Sequence, residues 1–178
     1  MTIRMVLAGP ESTGKSALTR HLASLFHLPS AQEYARIYLE QHGPAYDYDL
    51  LLRMSREHKE HQNACVPEHA AAGFLDTDLI NYKIWCDVVF GRCHDEIIQA
   101  MHAEVNHVYL VCYPDLPWEY DPLRENPDDR EQLFDRHVRE IESLGREYRI
   151  IRGVGDARRA AAEDAVRDFM KRIPTPLF

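Results

Sequence analysis

The sequence runs to 178 residues with a formal charge of −8, 45% hydrophobic side chains, ten histidines and four cysteines. That length suits one core that needs neither disulfides nor a structural metal, and the acidity excludes an extended nucleic-acid footprint, which requires clustered Lys and Arg against phosphates. No apolar run approaches the ~18 residues of a membrane span, so neither nucleic acid nor membrane is an expected partner.

Met1 to Arg4 lead straight into a strand-like segment, without the basic, apolar and small-residue zones of a signal peptide, so a cytoplasmic location is expected. Cys65, Cys86, Cys93 and Cys112 form no C-x-x-C pair and are read as free thiols. Residues 3–8, "IRMVLA", predict a β-strand, and Leu18, Leu22, Leu25 and Phe26 mark one face of the helix that follows. A short second strand falls near "LPSAQ". "EYARIYLEQH" predicts a helix that Gly43-Pro44 stops. Residues 48–65 predict another, with Leu51, Met54, His58 and Cys65 on one stripe. "AGFLDTD" is a buried strand ending in acid; "LINYKIWCDVVFG" and "DEIIQAMHAEV" are helical; "HVYLVCY" is the next strand. From Pro114 to Pro127 four prolines and many charges forbid a regular element and predict a long functional loop, a lid. Leu133, Phe134, Val138, Ile141 and Leu144 then face one way on a helix, "YRIIRG" is the last strand, and a helix over 157–172 closes the chain. Alternating strands and helices imply a parallel sheet with helices on both faces.

The string "GPESTGKS" fits G-x-x-x-x-G-K-[ST] at Gly9, Gly14, Lys15 and Ser16, between a predicted strand and a predicted helix, the context that gives the motif its meaning. Backbone N–H groups across Gly9, Glu11, Ser12, Thr13, Gly14 and the helix start at Lys15, Ser16 and Ala17 would converge on phosphate oxygens. Lys15 adds a positive charge, and the Ser16 hydroxyl stands where it can ligate Mg²⁺ between the terminal phosphates of ATP. A guanine-reading N-K-x-D is absent, which disfavours a GTPase-type switch.

Three further constellations point to phosphoryl transfer onto a small molecule. Glu33 and Arg36 of "EYAR" share a helix face just beyond the second strand, where an acid could meet an acceptor hydroxyl; an ordinary surface ion pair is the plainer alternative. Asp76 and Asp78 end a buried strand and, at a two-residue period, project to the same side, able to hold Mg²⁺ and grip substrate hydroxyls. For Asp78 the alternative is a helix N-cap. Arg124 and Arg130 of the lid can close over the transferring phosphoryl group, or remain solvated charges.

Together, "GPESTGKSALT", "EYAR", "HQ" at His61-Gln62, "FLDTDLINYKIWCDVVFG" and "PDLPWEYDPLRENPDDREQLF" resemble the ribosylnicotinamide kinase domain of the NadR-type NAD-biosynthesis proteins, from about residue 3 to residue 170. The resemblance implies a three-layer α/β P-loop fold over residues 1–178 with a lid at 114–130, and transfer of the γ-phosphate of ATP to the ribose 5′-hydroxyl of nicotinamide riboside. The adenylyltransferase domain and DNA-binding segment of larger members are not carried over. Another nucleoside or metabolite kinase, and an ATP-binding regulator, remain alternatives.

Nicotinamide riboside carries a fixed positive charge, which calls for aromatic faces and carboxylates. Tyr34, Tyr38, Tyr82, Trp85 and Trp118 lie near the substrate motifs; Tyr38 and Trp85, on apolar helix faces, read better as core. The expected assignments are therefore Lys15, Glu33, Asp78, Arg124 and Arg130 in catalysis, with Glu33 and Asp78 competing as the base. Glu33, Tyr34, Arg36, Asp76, Asp78, Trp118 and Asp121 would bind the acceptor, Ser16 and Asp76 the Mg²⁺, and Arg158 would lie near the adenine. Self-association into a homo-oligomer is left open.

Overall fold

A computed structural model describes residues 2–124 and 128–171. Among these, the chain runs β1 (Ile3–Ala8), α1 (Lys15–Phe26), β2 (Ser30–Ala31), α2 (Tyr34–His42), α3 (Tyr48–Cys65), β3 (Ala72–Asp76), α4 (Leu79–Phe90), α5 (Asp95–Ala103), β4 (His107–Cys112), α6 (Arg130–Ser143), β5 (Tyr148–Ile151) and α7 (Gly155–Met170). The five strands pair in parallel in the order β2-β3-β1-β4-β5. The predicted α/β architecture, with a parallel sheet between two helical layers, is the one observed.

Strand alternation divides the core into two. Met5 and Leu7 of β1, Phe74 of β3 and Leu110 of β4 turn toward α1 and α7, where Leu18, Leu22, Val166 and Phe169 meet them. Val6, Leu75, Tyr109 and Val111 turn the other way, onto Leu51 and Met54 of α3, Ile80 and Ile84 of α4, and Phe134 and Ile141 of α6. Full burial of a leucine such as Leu22 contributes about 1.5–3 kcal/mol. Leu25, expected on the same stripe, is 44% exposed.

Helix ends follow local chemistry. The Asp47 carboxylate accepts the Leu50 N–H at 2.8 Å and starts α3. Gly43 and Gly91 end α2 and α4 with positive φ, as the sequence predicts. On α3 the buried stripe is Leu51, Met54, Ser55, His58 and Gln62, whereas Cys65 is only half-buried. The third strand stops two residues short of its predicted end because Thr77 adopts φ +69° and leaves the sheet. Of the predicted lid, residues 114–124 and 128–129 contain no helix or strand and Arg130 at its end opens α6; residues 125–127 of the lid, and 172 at the predicted end of the last helix, lie outside the described residues. No described helix is long and apolar enough to cross a membrane.

Parallel pairing sends the carboxyl ends of β1, β2 and β3 to one edge, where an α/β sheet opens its crevice. At that edge Gly9 leaves β1 with φ +124°, and a Cβ there would stand 2.6 Å from the Cys112 carbonyl oxygen, so β1 and β4 close this tightly only because residue 9 is glycine.

Candidate active site

Residues Gly9 to Ser16 wrap the start of α1, whose N-cap, Gly14, has φ +76°. Thr13 Oγ1 and Lys15 Nζ each donate to the Pro10 carbonyl at 2.8 Å, which holds the loop round. Behind it Arg158, 5% exposed, donates to the Thr13 carbonyl at 2.7 Å, to the Tyr113 carbonyl at 3.1 Å and to Asp115 Oδ1 at 2.6 Å. The residue read as an adenine neighbour is thus a buried clamp on the loop's backbone, outside the cavity lining.

The loop forms one end of a cavity of about 650 Å³. Glu33, the N-cap residue of α2, enters it from the end of β2, and Lys15, Ser16 and Arg36 line it as well. Burial, and then the charge of Asp76, raise the Glu33 pKa to about 7, with Lys15 and Arg36 opposing the rise. Burial also raises the pKa of Asp76, against the pull of Lys15 and of a hydrogen bond from the Ser16 hydroxyl. Among the described residues, Asp76 Oδ1 is buried with no hydrogen-bond partner. An unpaired carboxylate oxygen beside a P-loop hydroxyl fits a small oxygen-seeking cation.

At the far end the wall is apolar and aromatic. Trp85 and Tyr46 meet edge to face with ring centroids 4.8 Å apart, and Leu39, Pro44, Val88 and Val89 continue the surface. Trp85 and Tyr38, read as core, both pack half-buried against it; Trp85 also lines the cavity, while Tyr38 stacks on His42 at 4.2 Å, outside the lining. Tyr46, Val88 and Val89 were not singled out by sequence. One signal was present: α4 carries apolar residues around most of its circumference, more than one core face can absorb.

The lid crosses above. Arg124 and Asp121 line the cavity, and Arg36 reaches Asp121 at 2.9 Å and Glu40 at 3.3 Å, so α2 and the lid share an ion pair. The Leu123 N–H and then Arg36 hold the Asp121 carboxyl below its ordinary pKa. Arg130 does not line the cavity; its guanidinium donates to the carbonyls of Leu116 at 2.8 Å and Ser12 at 3.4 Å, a tie between lid and loop, and lies 5.9 Å from the Trp118 ring, which is outside the lining too. Tyr34 also turns away, donating to Glu57 on α3 at 2.8 Å with its ring 5.7 Å from that of His61. Gln62, next to that histidine, donates to the Thr77 carbonyl at 2.9 Å and braces the turn that ends β3.

That turn separates the two aspartates expected on one side. Asp76 stays on the α1 side of the sheet with Lys15 and Ser16, while the left-handed Thr77 sends Asp78 to the other side. There its carboxylate accepts the Ile80 N–H at 3.0 Å and the Tyr109 hydroxyl at 2.7 Å and lies 3.1 Å from His107 Nδ1, 1% exposed and outside the cavity lining. Asp78 takes the helix-cap position of the alternative reading. Burial raises its pKa, but the hydrogen bonds from His107, Tyr109 and Ile80 outweigh it and hold the carboxyl below the usual aspartate range. A depressed folded pKa adds stability above the unfolded value of ~3.9 and loses it as pH falls through the folded value. Asp78→Ala is expected to cost roughly 3–5 kcal/mol, the scale for breaking a buried hydrogen-bonded charge, and to narrow the stability gap from wild type in acid. Thermal melts at pH 7 and pH 3 measure both; an unshifted melting temperature at pH 7 would remove Asp78 from the scaffold.

Residues 4–159 match the AAA_28 family model, described as an AAA domain. The trifunctional NAD biosynthesis/regulator protein NadR of Escherichia coli is 28% identical over 174 residues, 93% of this chain and 42% of that protein. The NadR protein of Salmonella typhimurium is 30% identical over 125 residues, 67% of this chain and 30% of that one. The chain thus spans less than half the length of these relatives. In fold it is similar to a NadR protein solved in complex with NAD and AMP-PNP (TM-score 0.81, 22% identity, 99% of this chain and 52% of that one) and to one in complex with NR (0.79, 21%, 99% and 52%). Thymidylate kinase from Ehrlichia chaffeensis is more distant, with TM-score 0.65 and 10% identity over 94% of this chain and 98% of that one. The NadR likeness read from the motifs is present in both sequence and fold.

Proposed function

The chain belongs to the AAA_28 family of AAA domains, and from that premise we propose that it is an ATP-dependent small-molecule kinase that phosphorylates the ribose 5′-hydroxyl of nicotinamide riboside. One observation carries the reading: a carboxyl with a pKa near 7, Glu33, stands in the same cavity as Lys15 and an aromatic wall. A P-loop without an acceptor site would have no use for a poised base facing an apolar recess.

The roles follow from position. The loop N–H groups and Lys15 hold the terminal phosphates, and Arg124 reaches the cavity from the lid to offset charge spreading over the transferred oxygens. Ser16 and Asp76 would hold Mg²⁺, which supplies charge neutralisation between the phosphates when bound. Glu33 takes the proton from the acceptor hydroxyl as transfer completes. Trp85 and Tyr46 offer ring faces, and Glu33 and Asp121 negative charge, to an acceptor that carries a fixed positive charge. A NadR protein solved in complex with NR supports this choice of acceptor.

A coupled ADP-release assay across nicotinamide riboside, nicotinic acid riboside and the common nucleosides tests it. The expected result is fastest turnover with nicotinamide riboside and one nicotinamide mononucleotide per ADP by mass spectrometry. Faster turnover of another nucleoside would transfer the assignment to that substrate. ADP release without a phosphorylated acceptor would replace the kinase by an ATP-hydrolysing regulator.

A further inference from the structure

Ser12 sits in the P-loop with φ +56°, a left-handed conformation that a side chain seldom adopts without a reason. Its backbone belongs to the P-loop, and its side chain meets the lid. The hydroxyl accepts the Glu119 N–H at 2.9 Å, donates to the Pro117 carbonyl at 3.3 Å and stands 3.5 Å from Arg124 Nη1. The Ser12 carbonyl accepts from Arg130, which also holds the Leu116 carbonyl. Four lid residues, Leu116, Pro117, Glu119 and Arg124, are therefore organised around one P-loop residue.

The lid segment cannot supply this order itself, since it has no helix or strand between 114 and 124. Its internal contacts are short-range: Arg124 donates to the Glu119 carbonyl at 2.5 Å, and Asp121 Oδ1 caps the turn through the Leu123 N–H at 2.9 Å. These fold the lid on itself, while Asp115 ties its start to Arg158 and the Gly153 N–H, and Asp121 pairs with Arg36. The Ser12 hydroxyl differs from these ties in bonding both the lid backbone and Arg124, the arginine that enters the cavity.

We infer that Ser12 is a positioning residue whose hydroxyl docks the lid on the P-loop and thereby sets where Arg124 stands over the transferring phosphoryl group. The docking contact stands on geometry alone; the consequence for turnover rests on the kinase reading above.

The test pairs two variants with two readouts. Ser12→Gly keeps the left-handed backbone without strain and removes the hydroxyl; Ser12→Asn also tolerates that backbone and restores a side-chain oxygen for the Glu119 N–H. Amide hydrogen exchange at Glu119 should quicken about 10-fold in Ser12→Gly, the scale of one lost hydrogen bond, and return most of the way in Ser12→Asn. With whichever nucleoside the wild type phosphorylates, Ser12→Gly should lower kcat about 10-fold while the acceptor KM moves less than about 3-fold. In an Arg124→Ala background the same substitution should cost less than about 2-fold, because the residue it positions is gone. Unchanged exchange at Glu119 would overturn the docking contact, and additive kcat losses in the double variant would overturn action through Arg124. A wild type that phosphorylates no nucleoside would refute the kinase reading and with it the role in turnover, and the exchange arm would still decide the contact.

Discussion

Lys15→Ala is expected to abolish acceptor phosphorylation, lowering kcat by at least ~10²–10³-fold, while the protein remains folded. The magnitude is that of removing one preorganised positive group from a site where charge develops. The fold should survive because, among the described residues, the Lys15 ammonium bonds only the Pro10 carbonyl, a carbonyl that Thr13 Oγ1 also holds at 2.8 Å. Removing the charge also removes an influence that lowers the pKa of Glu33 and Asp76, so the remaining activity should need a higher pH than the wild type. Circular dichroism and turnover measured on the same preparation decide it; a folded variant with more than a few per cent of wild-type turnover would take Lys15 out of the catalytic centre.

Glu33→Gln should lower kcat by roughly 10²–10⁴-fold, the range for a lost general base, with nucleotide affinity unchanged. The loose transition state of phosphoryl transfer needs little early proton removal, which favours the lower end of that range. The pH profile carries the sharper signature. A base acts when deprotonated, so kcat/KM for the acceptor should rise with pH and level off above about 7, the pKa to which burial and Asp76 raise this carboxyl. Gln cannot titrate, and its profile should lose that limb. Rates at saturating ATP and sub-saturating acceptor across pH 5–9 would show it. A Glu33→Gln enzyme as fast as wild type, or one that keeps the rising limb, would leave Glu33 as a ligand at most. Asp78→Asn offers the contrast: with its carboxylate spent on Ile80, Tyr109 and His107, it should lose stability before it loses rate in the folded fraction.

Much of this protein was legible in its sequence because the relevant physics is local. The strand, loop and helix around "GPESTGKS" need only neighbouring residues: left-handed glycine, a run of N–H groups, and a lysine and serine one position apart at the helix start. The helix stops at Gly43 and Gly91 and the acid at the end of β3 are local in the same sense. The alternation of elements already required a parallel sheet between helices, and that is the fold.

What the tertiary structure alone decided are the questions of direction. The two-residue period that put Asp76 and Asp78 together holds only while the chain stays extended, and one left-handed residue, Thr77, braced by Gln62 from α3, turns the second carboxylate into the opposite layer. Arg130 and Arg158 read as free cations for phosphate or base, yet each donates to backbone carbonyls brought near by packing, including Thr13, 145 positions away from Arg158, which also pairs with Asp115. The aromatic wall joins Tyr46, in the turn before α3, to Trp85 on α4. Sequence fixes which groups a residue can offer; which partner takes them depends on contacts between distant segments, and those exist only once the sheet has set the order in which its layers meet.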